Sequence, residues 1–232
     1  MCCSVGCSTF RGVQKLKNIN STEQKTLGQE LRKRGLKNSE FTFNESSPWS
    51  IFEGEDDLVV TLRGIVDLSP LKGMQLTMLD LHNCLDLRDI SPLKDMPLTK
   101  LDMSNTDVTD LSPLKGMPLV NVNMENSTVS DLSPLKGMAL IELNVSHSKV
   151  KDLSSLKRMP IEKLNVAGLF DLNDLTPLEG MPISRLVISS TKVSDLSPLK
   201  GLPLRYLDIW VTKVTDLHPL KSMQLSVLRM DT

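Results

Sequence analysis

The sequence predicts an α/β solenoid, with a parallel sheet of about nine strands on the concave side and short 3₁₀ or irregular segments on the convex side. Residues 110–117 return almost unchanged as residues 131–138, an apolar pattern alternates inside each repeat, and a Ser-Pro pair follows most predicted strands. One position in each of eight repeats, spaced by 21 or 22 residues, is marked by Pro70, Pro92, Pro113, Pro134, Ser155, Pro177, Pro198 and Pro219. The extra residue of the two longer spacings falls at the same place, within 83–87 and 168–172, which predicts an outward bulge.

A single repeat, residues 98–118, predicts one strand and one short helical turn. Leu101 and Met103 alternate with polar residues, which is typical of a strand with one buried face. Ser112 and Pro113 then predict a helix start, because serine caps free backbone N–H groups and proline suits the first helical position. Few residues follow before the next strand, so we expect one turn of 3₁₀ or irregular helix that is closed by Gly116.

These repeats resemble the leucine-rich-repeat family, in the short-repeat style of internalin-like and planctomycete-type bacterial proteins with L-S-P-L-K-G-M-P-L units. The resemblance covers residues 58–230 and implies a right-handed leucine-rich-repeat solenoid. The asparagine that usually follows the strand is replaced by hydroxyl residues, which can still bond the turn backbone from inside. These residues are Thr106, Ser127, Ser148, Thr191 and Thr212.

The chain divides into three predicted parts. Residues 1–20 form a flexible N-terminal tail, residues 21–57 form a helix and strand cap, and residues 58–232 form the solenoid of eight repeats plus a truncated ninth. A capping box at Ser21 predicts the helix start and Gly35 its end, and residues 40–43 alternate like an edge strand. The apolar residues expected to cover the first repeat are Trp49, Ile51 and Phe52.

The C-terminal end follows a different pattern. Residues 228–232 lie in a ninth strand, and no C-terminal cap is visible after them. Stacked repeats need caps because each repeat completes its core against its neighbours. We therefore expect either a fragment of a longer protein or an open strand edge that pairs with a partner or a second copy.

Composition and charge exclude several function classes. The net charge of −1 argues against nonspecific nucleic-acid binding, although residues 1–50 carry eight Lys/Arg against four Asp/Glu. The sequence has no apolar run long enough to span a membrane. It has neither a recurring nucleophile with a nearby base nor a phosphate-binding glycine loop, so we predict no enzyme activity and no cofactor.

The four cysteines do not match a zinc-binding pattern, because no second CxxC or His pair accompanies them. Residues 4–7 resemble the end of a bacterial lipoprotein signal with Cys7 as the lipidated residue, but the apolar segment expected before them is missing. The alternatives are lipid attachment at Cys7 and a reduced tail without it. Cys84 is expected to face the solenoid interior.

Two files of like residues are better explained by the repeat than by a ligand. The aspartates could bind cations, but each can accept turn N–H bonds and is offset by nearby lysines, so we predict no metal site. The methionines fall on a core position, so packing explains them better than a soft-metal site. The files are Asp67, Asp89, Asp110, Asp131, Asp152, Asp174, Asp195 and Asp216, and Met74, Met96, Met117, Met138, Met159, Met181 and Met223.

Function is expected at the strand positions that point away from the core and line the concave face. Toward the C-terminus these positions collect arginine, tyrosine and tryptophan, which dominate binding hot spots. The alternative for Trp210 is that it covers the C-terminal end in place of a cap. The predicted ligand-binding residues are Arg185, Val187, Tyr206, Asp208, Trp210 and Val211.

The sequence therefore predicts a noncatalytic module that binds a protein or peptide on its concave face. One alternative is a sensing or scaffolding fragment of a larger regulatory protein, since the resemblance implies an array that accompanies kinase domains. Another is a surface-anchored lipoprotein or adhesin that uses Cys7, which would place the chain at the cell surface rather than in the cytoplasm. Self-association through the C-terminal strand is a further expectation.

Overall fold

The structure is a computed structural model that describes residues 21–37, 40–44 and 59–231. The described strands form one sheet in chain order, in which β1 is antiparallel to β2 and all later pairs are parallel. The strands are β1 (Phe41–Asn44), β2 (Val59–Leu62), β3 (Met78–Asp80), β4 (Lys100–Asp102), β5 (Asn121–Asn123), β6 (Glu142–Asn144), β7 (Lys163–Asn165), β8 (Arg185–Val187), β9 (Tyr206–Asp208) and β10 (Val227–Arg229). The predicted solenoid with nine parallel strands is confirmed.

Short 3₁₀ turns alternate with these strands, as the sequence predicted. Their length of three residues follows from the repeat, because a glycine or other left-handed residue after each of the first seven turns stops a longer helix. The turns are Ser69–Leu71, Ser91–Leu93, Ser112–Leu114, Ser133–Leu135, Ser154–Leu156, Thr176–Leu178, Ser197–Leu199 and His218–Leu220.

A helix and an antiparallel strand precede the repeats. The helix α1 (Ser21–Lys33) is followed by Gly35 in the left-handed conformation, with φ of 98°. Leu31 and Phe41 are buried in the same hydrophobic core as the repeats. Within the described residues, no helix is both long and apolar enough to cross a membrane. The predicted covering residues Trp49, Ile51 and Phe52 lie outside the described residues.

Arg34 joins this N-terminal segment to the first 3₁₀ turn. Its Nη1 group donates to the carbonyl oxygens of Pro70 and Lys72 at 3.3 and 3.0 Å, and its Nε group donates to Glu30 at 2.8 Å. Carbonyl groups at the end of a helical turn lack partners inside the turn. The guanidinium group therefore satisfies backbone acceptors of the first repeat.

One hydrophobic core runs through the whole stack of repeats. The six methionines from Met74 to Met181 in the predicted file are buried, as expected, whereas Met223 is half-buried. Cys84 is fully buried and its Sγ lies 3.6 Å from the Leu62 carbonyl oxygen, so the predicted inward orientation is confirmed. The central strand residues Leu79, Leu101, Val122, Leu143, Leu164, Leu186 and Leu207 are at most 1% exposed, but the equivalent Leu228 in β10 is 38% exposed.

A carboxylate, rather than the predicted serine cap, organises each 3₁₀ turn. In one repeat the Asp131 carboxylate accepts the backbone N–H and the hydroxyl of Ser133, each at 2.8 Å. Serine cannot act as the cap because it is already the first residue of the turn. Equivalent backbone bonds are accepted by Asp67, Asp89, Asp110, Asp152, Asp174, Asp195 and Asp216. The structural interpretation of the aspartate file is therefore confirmed.

Each strand from β2 to β9 is followed by one residue in the left-handed conformation. These residues are Gly64, Asn83, Asn105, Asn126, His147, Gly168, Ser190 and Val211, with φ between 51° and 68°. From Asn83 to Ser190, their N–H groups donate to a carbonyl oxygen of the next repeat. The N–H group of Val211 instead donates to the Asp231 carboxylate at 2.9 Å. Val211 also differs in residue type, because β-branched residues rarely adopt the left-handed conformation.

The hydroxyl residues that replace the family's asparagine act only partly as expected. Thr106, Thr191 and Thr212 each donate to the carbonyl oxygen three residues earlier, at 2.7 to 2.8 Å. Ser148 accepts the Val150 N–H at 3.4 Å. The buried Ser127 hydroxyl has no partner within the described part of the chain. Threonine satisfies this position better than serine, which its extra methyl group and restricted side-chain torsion explain.

The extra residue of each longer repeat forms an additional turn, which confirms the predicted bulge. Leu85 and Phe170 protrude at these turns, with 64% and 68% of their surface exposed. Beside Phe170, Asp171 accepts hydrogen bonds from the ammonium groups of Lys192 and Lys151 at 2.8 and 2.9 Å. These bonds lower the pKa of Asp171 to about 2.

The aspartate bonds predict a defined response to acid. The Ser133 backbone N–H and hydroxyl hold the pKa of Asp131 below its usual value, and similar bonds lower the pKa of Asp67, Asp110, Asp152 and Asp195. A lowered folded-state pKa contributes stability above the unfolded pKa of about 3.9 and loses it as the pH falls. Urea unfolding should show Asp131→Asn to be less stable than wild type at pH about 7, with the difference vanishing near pH 2. A difference that stays constant over this range would contradict the assignment.

The left-handed turns predict that replacing Val211 stabilises the protein. Val211→Asn should raise the free energy of unfolding by about 1 kcal/mol, because asparagine tolerates this conformation and the valine side chain is half exposed. Thermal and urea unfolding measure the change. The reverse exchange in the preceding repeat, Ser190→Val, is the control and should lose a similar amount. An unchanged or lower stability for Val211→Asn would show that the valine is not strained.

Candidate ligand-binding face

The register of the sheet places the predicted concave-face residues in rows across neighbouring strands. Arg185 lies beside Tyr206, and Val187 lies beside Asp208. The first row is Met78, Lys100, Asn121, Glu142, Lys163, Arg185, Tyr206 and Val227, and the second is Asp80, Asp102, Asn123, Asn144, Asn165, Val187, Asp208 and Arg229. The structure thus brings four of the six predicted site residues together on β8 and β9.

Most of the second row belongs to the repeat framework. In six strands the Asp or Asn side chain accepts the backbone N–H two residues later, at 2.9 to 3.1 Å. This bond closes the corner between strand and turn, as Asp and Asn commonly do. The donors are His82, Ser104, Glu125, Ser146, Ala167 and Trp210. Asp208, a predicted ligand residue, therefore has a structural role that the sequence interpretation missed.

Val187 interrupts this row. A valine side chain has no acceptor to offer the N–H group of Ser189, so β8 lacks the corner bond that its neighbours on β7 and β9 make. Val187 is half-buried on the concave face, between polar Asn165 and Asp208. The substitution gives up a framework bond and creates an apolar spot in an otherwise polar row.

Arg185 and Tyr206 form a stacked pair next to this apolar spot. The Arg185 guanidinium carbon lies 3.8 Å from the centre of the Tyr206 ring. Arg185 is exposed and Tyr206 is half-buried. A guanidinium group over an aromatic face is held in place by cation–π attraction while its N–H groups stay available at the edge. The pair therefore presents an oriented positive charge to the concave side.

A recess on the concave face extends from this pair toward the middle of the sheet. Lys163 lies 3.5 Å from Glu142, which also accepts a hydrogen bond from Asn121 at 2.9 Å. The recess is lined by Asn123, Glu125, Glu142, Leu143, Asn144, Lys163, Leu164, Asn165, Arg185 and Val187. Glu142 and Lys163 were not among the predicted site residues. The order of charges along the first row was the signal that could have identified them.

Trp210 lies in a second recess, at the C-terminal end of the sheet. It is 56% exposed, and the Arg229 guanidinium approaches Asp208 at 3.8 Å in the same place. This recess is lined by Asp208, Trp210, Leu228, Arg229 and Met230. Val211 lines neither recess and lies in the turn after β9. The predicted residues therefore divide between the first recess (Arg185 and Val187, with Tyr206 stacked on Arg185), the second recess (Asp208 and Trp210) and the turn that holds Val211, rather than forming one cluster.

The first strands of the concave face carry two buried carboxylates. Asp80 and Asp102 are fully buried neighbours, and burial raises the pKa of Asp102. Both carboxylates are hydrogen bonded, Asp80 to His82 at 2.6 Å and Asp102 to Asn123 at 2.9 Å. Among the described residues, no group of three or more His, Cys, Asp or Glu is arranged to hold a metal ion. The lipidation candidate Cys7 lies outside the described residues.

The comparisons with known proteins concern the fold. No family model matches the sequence, and no curated protein sequence matches it. The structure is similar to an internalin, InlF of Listeria monocytogenes, with 26% identity, a TM-score of 0.69, and coverage of 74% of this chain and 53% of that chain. The chain thus spans about half the length of that internalin.

Two further Listeria monocytogenes structures are similar to this chain with lower TM-scores. Internalin C2 has 28% identity and a TM-score of 0.48, with coverage of 72% of this chain and 67% of that chain. The functional domain of InlJ has 20% identity and a TM-score of 0.40, with coverage of 71% and 46%. The recurring strand and 3₁₀ turn, together with the similarity to InlF, show that this chain has a leucine-rich-repeat solenoid fold similar to that of an internalin.

Proposed function

We propose that this chain is a noncatalytic interaction module that binds a protein or peptide on the C-terminal half of its concave face. Solenoids of this kind use the concave surface of stacked repeats for binding. The chain's framework residues form turns and corners, and the residues that depart from the framework collect on β8 and β9. Amide, aromatic, guanidinium and apolar groups side by side suit recognition of a polypeptide.

The observation that carries this proposal is the Arg185–Tyr206 pair beside Val187. The repeat needs none of these three side chains, since other repeats fold with lysine, asparagine or glutamate at the first position. Val187 also forgoes a hydrogen bond that the equivalent side chains on both neighbouring strands make. An exposed arginine and a half-buried tyrosine around an apolar centre have the composition of a binding hot spot.

A second candidate contact is the edge of β10, for which we propose pairing with a second copy of the chain. Val227 and Leu228 are 41% and 38% exposed, although Leu228 occupies a position that is buried in every earlier parallel strand. An exposed strand edge offers unpaired backbone groups to another strand. Trp210 and Met230 add apolar surface next to this edge.

Capture of a partner tests the concave-face proposal. The double variant Arg185→Gln/Tyr206→Ser should lower binding of the partner identified by affinity capture at least about 30-fold, since hot-spot losses reach about 2 kcal/mol or more. Biolayer interferometry measures the affinity. The control is Lys213→Gln/Phe170→Ser, which removes an exposed cation and an exposed aromatic ring elsewhere. Equal binding by wild type and the site variant would refute the proposal.

Sedimentation velocity over a range of protein concentrations tests the edge proposal. Wild type should associate as concentration rises, and Leu228→Lys should not, because a charge on the edge opposes strand pairing. Phe170→Lys supplies the control, since it places the same charge at another exposed apolar site. Identical sedimentation of all three proteins would argue against association through β10.

A further inference from the structure

The concave recess contains two neighbouring cations that point toward different partners. Lys163 and Arg185 are adjacent in the first row, on strands about 4.8 Å apart. Lys163 contacts Glu142 on β6, whereas Arg185 stacks on Tyr206 on β9. The two positive groups therefore lean away from each other along the sheet. Both side chains line the same recess.

The two cations differ in how firmly they are held. Glu142 is almost buried, and it accepts a bond from Asn121 as well as the ion pair with Lys163. Lys163 therefore contacts a carboxylate that Asn121 also holds in place. The Arg185 guanidinium is positioned by a ring face and keeps its edge N–H groups for an acceptor. Such a fixed guanidinium matches the planar geometry of a carboxylate.

The second-row residues that line the recess change from amides on β6 and β7 to an apolar side chain on β8. On β6 and β7 the second-row residues are Asn144 and Asn165, whose side-chain oxygens accept framework bonds. On β8 the same position is Val187, which is half-buried and apolar. A group that enters between Lys163 and Arg185 therefore meets an apolar surface on the side of Arg185. The recess pairs one anion-binding element with one apolar contact.

We propose that this recess binds a carboxylate of the partner between Lys163 and Arg185, with an adjacent apolar side chain against Val187. The inference rests on the proposed function and specifies the chemistry of its ligand. The carboxylate comes from an aspartate or glutamate side chain or from a polypeptide C-terminus, since both present the same group. Binding adds charge-assisted hydrogen bonds to the Arg185 guanidinium and gives Lys163 a second anionic partner besides Glu142.

The single tyrosine of the chain provides a direct probe of this recess. Replacing tyrosine with 3-fluorotyrosine labels Tyr206 alone and gives one ¹⁹F resonance from the ring under Arg185. Three N-terminally acetylated peptides are titrated, of which the first two also have an amidated C-terminus. One has a central glutamate between two leucines, the second has glutamine in place of that glutamate, and the third has a leucine-glycine sequence with a free C-terminal carboxylate.

The glutamate peptide or the free-carboxylate peptide should shift the Tyr206 resonance, and the glutamine peptide should not. Whichever carboxylate peptide acts identifies the source of the group. Arg185→Gln and Lys163→Gln should each weaken that binding at least about tenfold, the effect of losing one charge-assisted bond. Lys200→Gln, on the convex side, should leave it unchanged. Thermal unfolding of each variant confirms that the fold is retained.

Equal shifts with the glutamate and glutamine peptides would overturn the carboxylate assignment, and so would the absence of any shift at millimolar peptide. Unchanged affinity in both Arg185→Gln and Lys163→Gln would overturn it as well. These outcomes are separate from failure of the proposed function. If Arg185→Gln/Tyr206→Ser still abolishes partner capture while the acidic peptides fail, the concave-face proposal stands and only its carboxylate chemistry is refuted.

Discussion

The structure depends on satisfying the backbone at the corner where each three-residue strand meets its turn. Such short strands place a large share of their N–H groups at corners, and buried or half-buried N–H groups need acceptors. Two devices meet this requirement in almost every repeat. An Asp or Asn side chain accepts the N–H two residues later, and a left-handed residue directs its own N–H to the next repeat. Stacking therefore supplies hydrogen bonds as well as apolar contacts.

This constraint separates framework from function. Aspartate, methionine and hydroxyl files repeat because each copy solves the same local problem, so their conservation across repeats carries no information about a ligand. Residues that depart from the repeat pattern are informative, because each one loses a framework bond or adopts a strained conformation. Val187 gives up the corner acceptor, and Val211 holds a β-branched residue at positive φ. Both lie on or just after the two strands that also carry Arg185 and Tyr206. Strain and missing bonds of this kind tend to concentrate at functional sites.

The sequence was sufficient for the fold because the repeat period determines which residues share a row. The alternation at Leu101 and Met103, continued through each copy, predicts the sheet register that the structure has. Local bonds were harder to predict. Asp110 was expected to accept turn N–H bonds and does so, but Ser112 was also expected to cap the turn, and its place as the first residue of the turn excludes that role. The role of Asn144 at a corner was hidden because a polar residue on a concave strand resembles a ligand-binding one.

The candidate site was predicted in part for the same reason. Arg185, Val187 and Tyr206 were found because their types are unusual for the repeat. Glu142 and Lys163 were missed because ordinary charged residues gain meaning only from neighbours in the row. Trp210 was grouped with Arg185 because both were assigned to outward-pointing positions of neighbouring strands, although it lies in a different recess. Rows identify neighbours reliably, but they do not show how side chains divide a surface into pockets.

Amide hydrogen exchange of Ser189 tests whether Val187 removes a corner hydrogen bond that the other repeats have. If Val187 removes a framework bond, the Ser189 N–H should exchange at least about fivefold faster than the N–H groups of Ala167 and Trp210, after correction for intrinsic rates. Those two groups hold equivalent positions in the neighbouring repeats and have Asn165 and Asp208 as acceptors. In Val187→Asn the Ser189 rate should fall to theirs. Equal protection of all three N–H groups in wild type would contradict the account.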